Sequence, residues 1–491
     1  MSDLLQKARN HEARAAASID AGARPAFHLT PYCGWMNDPN GFSYYGGKYH
    51  LFYQYNPYDI HWNTMHWGHA VSSNLLHWKY LPAALAPDEA YDCNGCFSGN
   101  AIELDDGRHL LVYTGVKQEK MEDGKIRDIQ VQCVAVGDGE NYEKYEKNPV
   151  IGSSKLPEGA SRSDFRDPKI WRLSDGRFCC ALANRAPDGS GQILLYTSGD
   201  GFDWDFWSVL DANENRFGKM WECPDFFRLG DKFVLLVSPQ DMVCGGEYKN
   251  GNGTVCLIGD FDEKTGKFVE CSDQTVDSGI DFYAPQTVLS PDGRRIMIGW
   301  MQNWDTCPIR EEGSPWAGQM SVPRELFIRN GRLFQKPAKE FDELRGKSVS
   351  YKDVRLSSVP TTLADVSGRV LDMEVTLRPG ADCSVCSVKV AESGDFYTEI
   401  IYRVRERTLT VDRRHSGSRR ALLHAMECKI LCASSELPLR IVLDKNSVEV
   451  FMNGGEQAMT TAIYTPLDAD GISFSADGSA SADVEKFSLK M

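Results

Sequence analysis

Three acidic residues stand far apart in the chain, each one or two positions before a proline: Asp38 in Trp35-Met36-Asn37-Asp38-Pro39-Asn40-Gly41, Asp167 in Phe165-Arg166-Asp167-Pro168, and Glu222 in Glu222-Cys223-Pro224-Asp225. Taken singly, each motif reads as turn chemistry, because Pro fixes φ and Gly accepts a positive φ. Taken together they occupy equivalent starts of repeating units, so the three carboxylates are expected to face one cleft. Like charges gathered there destabilise the fold, yet they push pKa values apart as acid/base chemistry requires. Glycoside hydrolysis uses such a set. In its retaining form one carboxylate attacks the anomeric carbon and a second, protonated, donates to the leaving oxygen roughly 5 Å away. A third can stabilise the oxocarbenium-like charge or hold a sugar hydroxyl.

The elements that must position these acids are strands. Short aromatic and β-branched runs such as Tyr49–Tyr53, Leu110–Tyr113, Phe178–Ala183, Phe233–Val237 and Arg295–Trp300 alternate with Gly, Asn-Gly and Asp-Gly turns. Five segments begin alike, at residues 38, 98, 167, 222 and 283, and each is followed by about four strand-like runs. Four-stranded units repeated around a ring make a β-propeller, in which the first strand of each blade lines the central channel. The fold expected is therefore all-β: a five-bladed propeller over residues 25–334, a polar connector at 335–349 and a β-sandwich at 350–491. Residues 1–24 read as a helical extension, with one amphipathic helix over 2–22 that ends at Gly22 and Pro25. In the sandwich, Asp412, Asp444 and Glu449 read as alternating surface residues. The basic cluster Arg413-Arg414-His415 with Arg419-Arg420 reads as a solvated turn.

Composition narrows the partners. The 491 residues exceed one hydrophobic core, and 54 Lys+Arg against 69 Asp+Glu leave a net charge of −15 that disfavours nucleic acid. No run approaches the ~20 apolar residues of a membrane helix, and the charged first 24 residues lack the apolar core of a secretory signal. The 15 scattered cysteines read as reduced thiols. A cytoplasmic enzyme is expected, with no membrane partner and the oligomeric state left open.

The surroundings of the acids suit a sugar. Trp35, Phe52, Tyr53, Tyr55, Trp62, Trp67, Phe97 and Trp304 offer flat apolar faces, and Asn37, Gln54, Asn56, Ser98 and Arg166 offer hydrogen bonds to hydroxyls. Six of the ten histidines fall between His28 and His77. His66 and His69 would point to opposite faces of a strand, and the mechanism requires no metal or other cofactor.

The motifs WMNDPNG at Trp35, FYQYNP at Phe52, HWGHAV at His66, Phe97-Ser98-Gly99, FRDP at Phe165, ECPD at Glu222, DFYAPQ at Asp281 and WAGQMSVPREL at Trp316 together resemble glycoside hydrolase family 32. Ser447–Phe451 (SVEVF) is similar to the sandwich domain that this family appends. The resemblance implies a retaining β-fructosidase acting on sucrose, sucrose 6-phosphate or short fructo-oligosaccharides through a covalent fructosyl-enzyme. It implies Asp38 as nucleophile, Glu222 as acid/base and Asp167 as transition-state stabiliser. Trp35, Met36, Asn37, Gln54, Trp62, Phe97, Ser98, Arg166 and Trp304 would surround the substrate. The segment Asp92–Cys96 is less usual and bears on the shape of the rim. Two other readings compete: a pentofuranose-chain hydrolase on a similar propeller, and a non-catalytic sugar-binding propeller.

Overall fold

The computed structural model describes residues 1–243, 245–248, 251–307, 314–417, 423–432 and 434–490. Strands dominate it, and the first 337 residues form five antiparallel sheets in chain order. The first holds Gly34–Tyr45, Lys48–Asn56, His66–Ser72 and Lys79–Leu85. The second holds Gly95–Glu103, His109–Lys120, Ile126–Gly137 and Tyr142–Lys144. Phe165–Arg172 opens the third, Trp221–Leu229 the fourth and Tyr283–Leu289 the fifth, which ends at Arg332–Pro337. Each opening strand lies beside that of the next sheet, and the fifth lies beside the first. The short strand Trp316–Ala317, drawn from the fifth unit, pairs in parallel with Gly34 and Trp35 of the first sheet and ties the chain's late segment to its start.

Opening strands of adjacent sheets share no ladder, so side chains join them. Gln286 donates to the Gly99 carbonyl at 2.8 Å and accepts from Asn100 and from the Phe42 amide, both at 3.1 Å. Lys169 donates to Asp225 at 2.8 Å and to the Thr287 carbonyl at 3.0 Å, while Asp225 also accepts from the Thr287 amide at 2.7 Å. These groups are buried, and pairing them is what makes their burial tolerable. Together they fix all five opening strands around one axis.

The N-terminal helix is shorter than the sequence suggests. It runs Asp3–Ala16, capped by Ser2, which accepts from the Leu5 amide. Ser18 then bonds back to the Ala15 carbonyl, and a 3-10 turn follows at Ala21–Ala23 under the Asp20 cap. The helix also covers an edge strand. Arg9 donates to the Ala83 carbonyl at 2.9 Å and Glu12 accepts from the Ala83 amide at 2.8 Å, so two side chains occupy the place of a neighbouring strand.

The connector is also shorter than expected. The strand Arg332–Pro337 takes its first residues because Gln335 is buried against Arg324. Only the helix Lys339–Glu343 then separates it from the strand Arg345–Leu356, which opens the C-terminal part. There, a six-stranded and a five-stranded sheet enclose an apolar core that includes Leu371, Met373, Val388, Ile400, Ile441 and Phe474.

The carboxylates expected on the surface here are buried instead. Asp444 and Glu449 hold His28 between them, at 2.8 and 2.9 Å from its two ring nitrogens, and Glu449 also pairs with Arg324. Asp412 is buried and paired with Arg414. Arg413 is buried too and pairs with Asp281 at 2.7 Å, so the expected solvated turn is in part an interdomain contact. Arg419 and Arg420 lie outside the described residues.

Candidate active site

Each opening strand is interrupted at the same level. Its ladder slips between Met36 and Pro39, between Phe97 and Gly99, opposite Asp167, between Glu222 and Asp225, and between Tyr283 and Gln286. Pro39, Pro168, Pro224 and Pro285 account for four of these interruptions, because proline has no N–H to continue a ladder. A bulge bends its strand and re-aims a side chain. Asp167, Cys223 and Ala284 take left-handed φ values of 61°, 48° and 51° at these points. The motifs read as turns are therefore bulges in continuous strands, and they turn the acids toward one another.

Asp38 is buried, and its Oδ2 accepts from Ser98 Oγ at 2.7 Å and from the Cys223 thiol at 3.4 Å. Its Oδ1 is buried and has no hydrogen-bond partner among the described residues. Asp167 accepts from the Cys223 amide at 2.9 Å, with the thiol 3.7 Å from the same oxygen. Glu222 is held on both oxygens. Arg166 donates to Oε1 through Nε at 3.1 Å and Nη2 at 3.0 Å, while Oε2 accepts from Tyr283 OH at 2.7 Å and from the Trp304 indole at 3.2 Å.

Burial dominates the electrostatics. It pushes the Asp38 carboxyl up to about 6, with the Glu222 charge adding to the rise and Ser98, Asn37 and Cys223 opposing it. Asp167 is also pushed up by burial, against the opposing pull of Arg166. The Cys223 thiol rises well above its ordinary range, by burial and then by the surrounding carboxylates, which keeps it a neutral donor rather than a nucleophile. Its thiol contacts fall on Asp38 and Asp167.

The remaining candidate residues divide. Trp35 donates its indole N–H to Asn37 Oδ1 at 2.8 Å and packs in one apolar cluster with Cys223, Tyr283 and Trp300, which Phe97 and Trp304 flank. Trp62 is 45% exposed and meets Phe97 edge-on at 5.9 Å, as a rim aromatic would. Gln54 is buried and donates to the Cys96 carbonyl at 3.0 Å, thereby bracing the Asp92–Cys96 rim. That rim is pinned further by buried Asp92, which pairs with Lys144 and accepts from Tyr113 OH at 2.8 Å. The Met36 side chain lies in the core shared with Val288, Ile298 and Met320, because alternation along the strand turns it away from Asn37's face. His69 bonds to His50 at 3.0 Å and His66 to the Thr64 carbonyl at 3.2 Å, so both are engaged in buried structural contacts.

Tyr283 is the residue that motif reading missed. Its signal was its place in Asp281-Phe282-Tyr283-Ala284-Pro285, the start of the fifth unit, where the other units carry acids or Ser98.

Comparison with known proteins identifies the family of the chain. Residues 28–337 match the glycosyl hydrolases family 32 N-terminal domain, and residues 340–490 match the glycosyl hydrolases family 32 C-terminal domain. A raffinose invertase of Escherichia coli is 37% identical over 468 residues, covering 93% of each chain. A sucrose-6-phosphate hydrolase of Escherichia coli is 37% identical over 451 residues, covering 90% of this chain and 89% of its own. Among solved structures, a GH32 beta-fructofuranosidase of Bombyx mori superposes with a TM-score of 0.84 at 35% identity, covering 99% of this chain and 98% of its own. With both of its domains matched in order over most of their length, the chain belongs to glycosyl hydrolase family 32.

Proposed function

We propose that the chain is a retaining β-fructofuranosidase, in which Asp38 attacks the anomeric carbon of a fructosyl unit and Glu222 protonates the leaving oxygen. The observation that carries this reading is the asymmetry of Asp38: one oxygen is held by Ser98 and Cys223, and the other is buried with no partner. A carboxylate so arranged is oriented by one oxygen and presents the other to a reacting carbon. Glu222, with Arg166 on one oxygen and two neutral donors on the other, then returns as base to activate water on the fructosyl-enzyme. Asp167, beside both, holds fructosyl hydroxyls and offsets the developing positive charge. The surrounding sheets are read as five blades, with residues 25–334 as the catalytic propeller and 350–491 as the sandwich.

The substrates proposed are small β-fructosides, with sucrose or its 6-phosphate foremost and little action on long fructan. The relatives named raffinose invertase and sucrose-6-phosphate hydrolase support that choice, as does a mutant of the Bombyx mori enzyme solved in complex with sucrose. A cytoplasmic location fits the same choice, and no helix among the described residues is long and apolar enough to cross a membrane.

The test is to incubate the purified protein with sucrose, sucrose 6-phosphate, inulin and an arabinan and to follow the sugar released, with NMR of the first product formed. Fructose from the disaccharides, released first as the β-anomer, is expected. Arabinose release, or no release from any of the four, overturns the assignment. Faster release from inulin overturns the substrate choice alone.

A further inference from the structure

Both donors to Glu222 Oε2 are tied to one carboxylate that the C-terminal sandwich holds, Tyr283 along the chain and Trp304 through a hydrogen bond of its neighbour Asn303. Residues 277–281 run along the edge strand Gln457–Ala462 almost as an added strand. The Ser278 amide donates to the Ala458 carbonyl at 2.8 Å, and the Asp281 amide donates to the Thr460 carbonyl at 3.0 Å. Asp277 accepts from the Thr460 amide at 2.9 Å. Contact is so close at Gly279 that a Cβ there would stand 2.1 Å from the Thr460 nitrogen. Asp281 ends this strip. Its carboxylate is fully buried and accepts from Arg413 Nη1 at 2.7 Å and from the Ala462 amide at 2.8 Å, both groups of the sandwich.

Two residues beyond Asp281 comes Tyr283, which donates to Glu222 at 2.7 Å. The second donor is bound to the same strip, because Asn303, next to Trp304, donates through its side chain to the Ile280 carbonyl at 2.8 Å. Arg413 is fixed in turn by the Leu423 carbonyl at 3.0 Å and the Ala462 carbonyl at 2.9 Å. A buried ion pair with these added hydrogen bonds has one low-energy geometry, and loss of one partner leaves the other charge uncompensated.

We infer that Arg413 of the sandwich is a positioning residue for the acid/base Glu222, acting through Asp281 on the two side chains, Tyr283 and Trp304, that orient Glu222 Oε2. The sandwich then does more than cover the propeller: it sets the direction of the catalytic carboxyl. This inference rests on the reading of Glu222 as the acid.

The experiment compares kcat/KM for sucrose, whose leaving group needs protonation, with kcat/KM for an activated aryl β-fructofuranoside, whose leaving group does not. Arg413→Gln should lose at least about tenfold on sucrose and no more than about threefold on the aryl substrate, with the pH profile on sucrose displaced. Arg413→Lys, which keeps the charge on Asp281, should restore most of the difference. Should Arg413→Gln fail to fold, the neutral pair Asp281→Asn with Arg413→Gln is read in its place, since it leaves no lone buried charge. Equal losses on both substrates, or an unchanged profile, overturn the inference, because a purely structural role lowers the number of active sites without regard to leaving group. Glu222→Gln in the same assay separates the two levels. If it splits the substrates and Arg413→Gln does not, only the positioning role is wrong; if Glu222→Gln itself gives no split, the acid assignment falls and the inference with it.

Discussion

Ser98 Oγ donates to Asp38 Oδ2 at 2.7 Å across two neighbouring sheets, and it leaves Asp38 Oδ1 as a buried oxygen with no hydrogen-bond partner among the described residues. The two residues stand at the same bulge level of two opening strands, so a contact sixty positions apart in sequence follows from the repeat alone.

Asp38→Asn keeps the bulge and its hydrogen-bonding shape while removing the attacking charge. It should lower kcat on sucrose at least about a thousandfold, or about 4 kcal/mol of transition-state stabilisation, with Tm close to that of the parent protein. Steady-state rates beside a thermal melt check both halves. Near-parental turnover removes Asp38 from the mechanism.

Asp38 must be ionised to attack, and burial with the Glu222 charge holds its carboxyl up at about 6. The kcat/KM profile should therefore fall on its acid side as pH drops through about 6, by a factor of about ten per unit below it. Removing the Ser98 donor takes away one of the groups that lower this value, so Ser98→Ala should move the acid limb upward by about half to one unit. A limb unmoved by Ser98→Ala assigns it to another group.

Cys223→Ser substitutes one neutral donor for another at the contact with Asp38 and Asp167. Hydrolysis should survive within about tenfold, since no step needs a thiolate. Mass spectrometry of the trapped intermediate should place the fructosyl group on the peptide containing Asp38; finding it on Cys223 contradicts the mechanism.

The buried charges between the domains make a separate stability prediction. Burial alone would disfavour the His28 cation, but the hydrogen bonds it donates to Asp444 and Glu449 outweigh that and raise the imidazole to about 9. Because this value lies above that of the unfolded chain, the associated stability is complete below pH ~6.5 and is lost as pH rises through about 9, an effect on the order of 3 kcal/mol. Melts between pH 6.5 and 10 should show this decline in the parent protein. His28→Gln should start lower and lack it, whereas an identical slope in that variant assigns the decline elsewhere.

The sequence by itself determined the all-β pattern, the five recurring unit starts and the three acids, because strand alternation, Gly turns and proline-broken ladders are local properties. Ser98 and Arg166 lie within the same motifs, so their closeness to the acids follows from those local properties too. Tertiary structure decided what lay across the interface. Alternation tells which residues of a strand share a face but not what covers that face, so Asp444, Glu449 and Arg413 read as solvated until the strip 277–281 and the segment around His28 came to lie against them. Tyr283 was passed over for a related reason. Its hydroxyl reaches Glu222 on the opening strand of the neighbouring sheet, a contact that the residue's own neighbours in sequence do not specify.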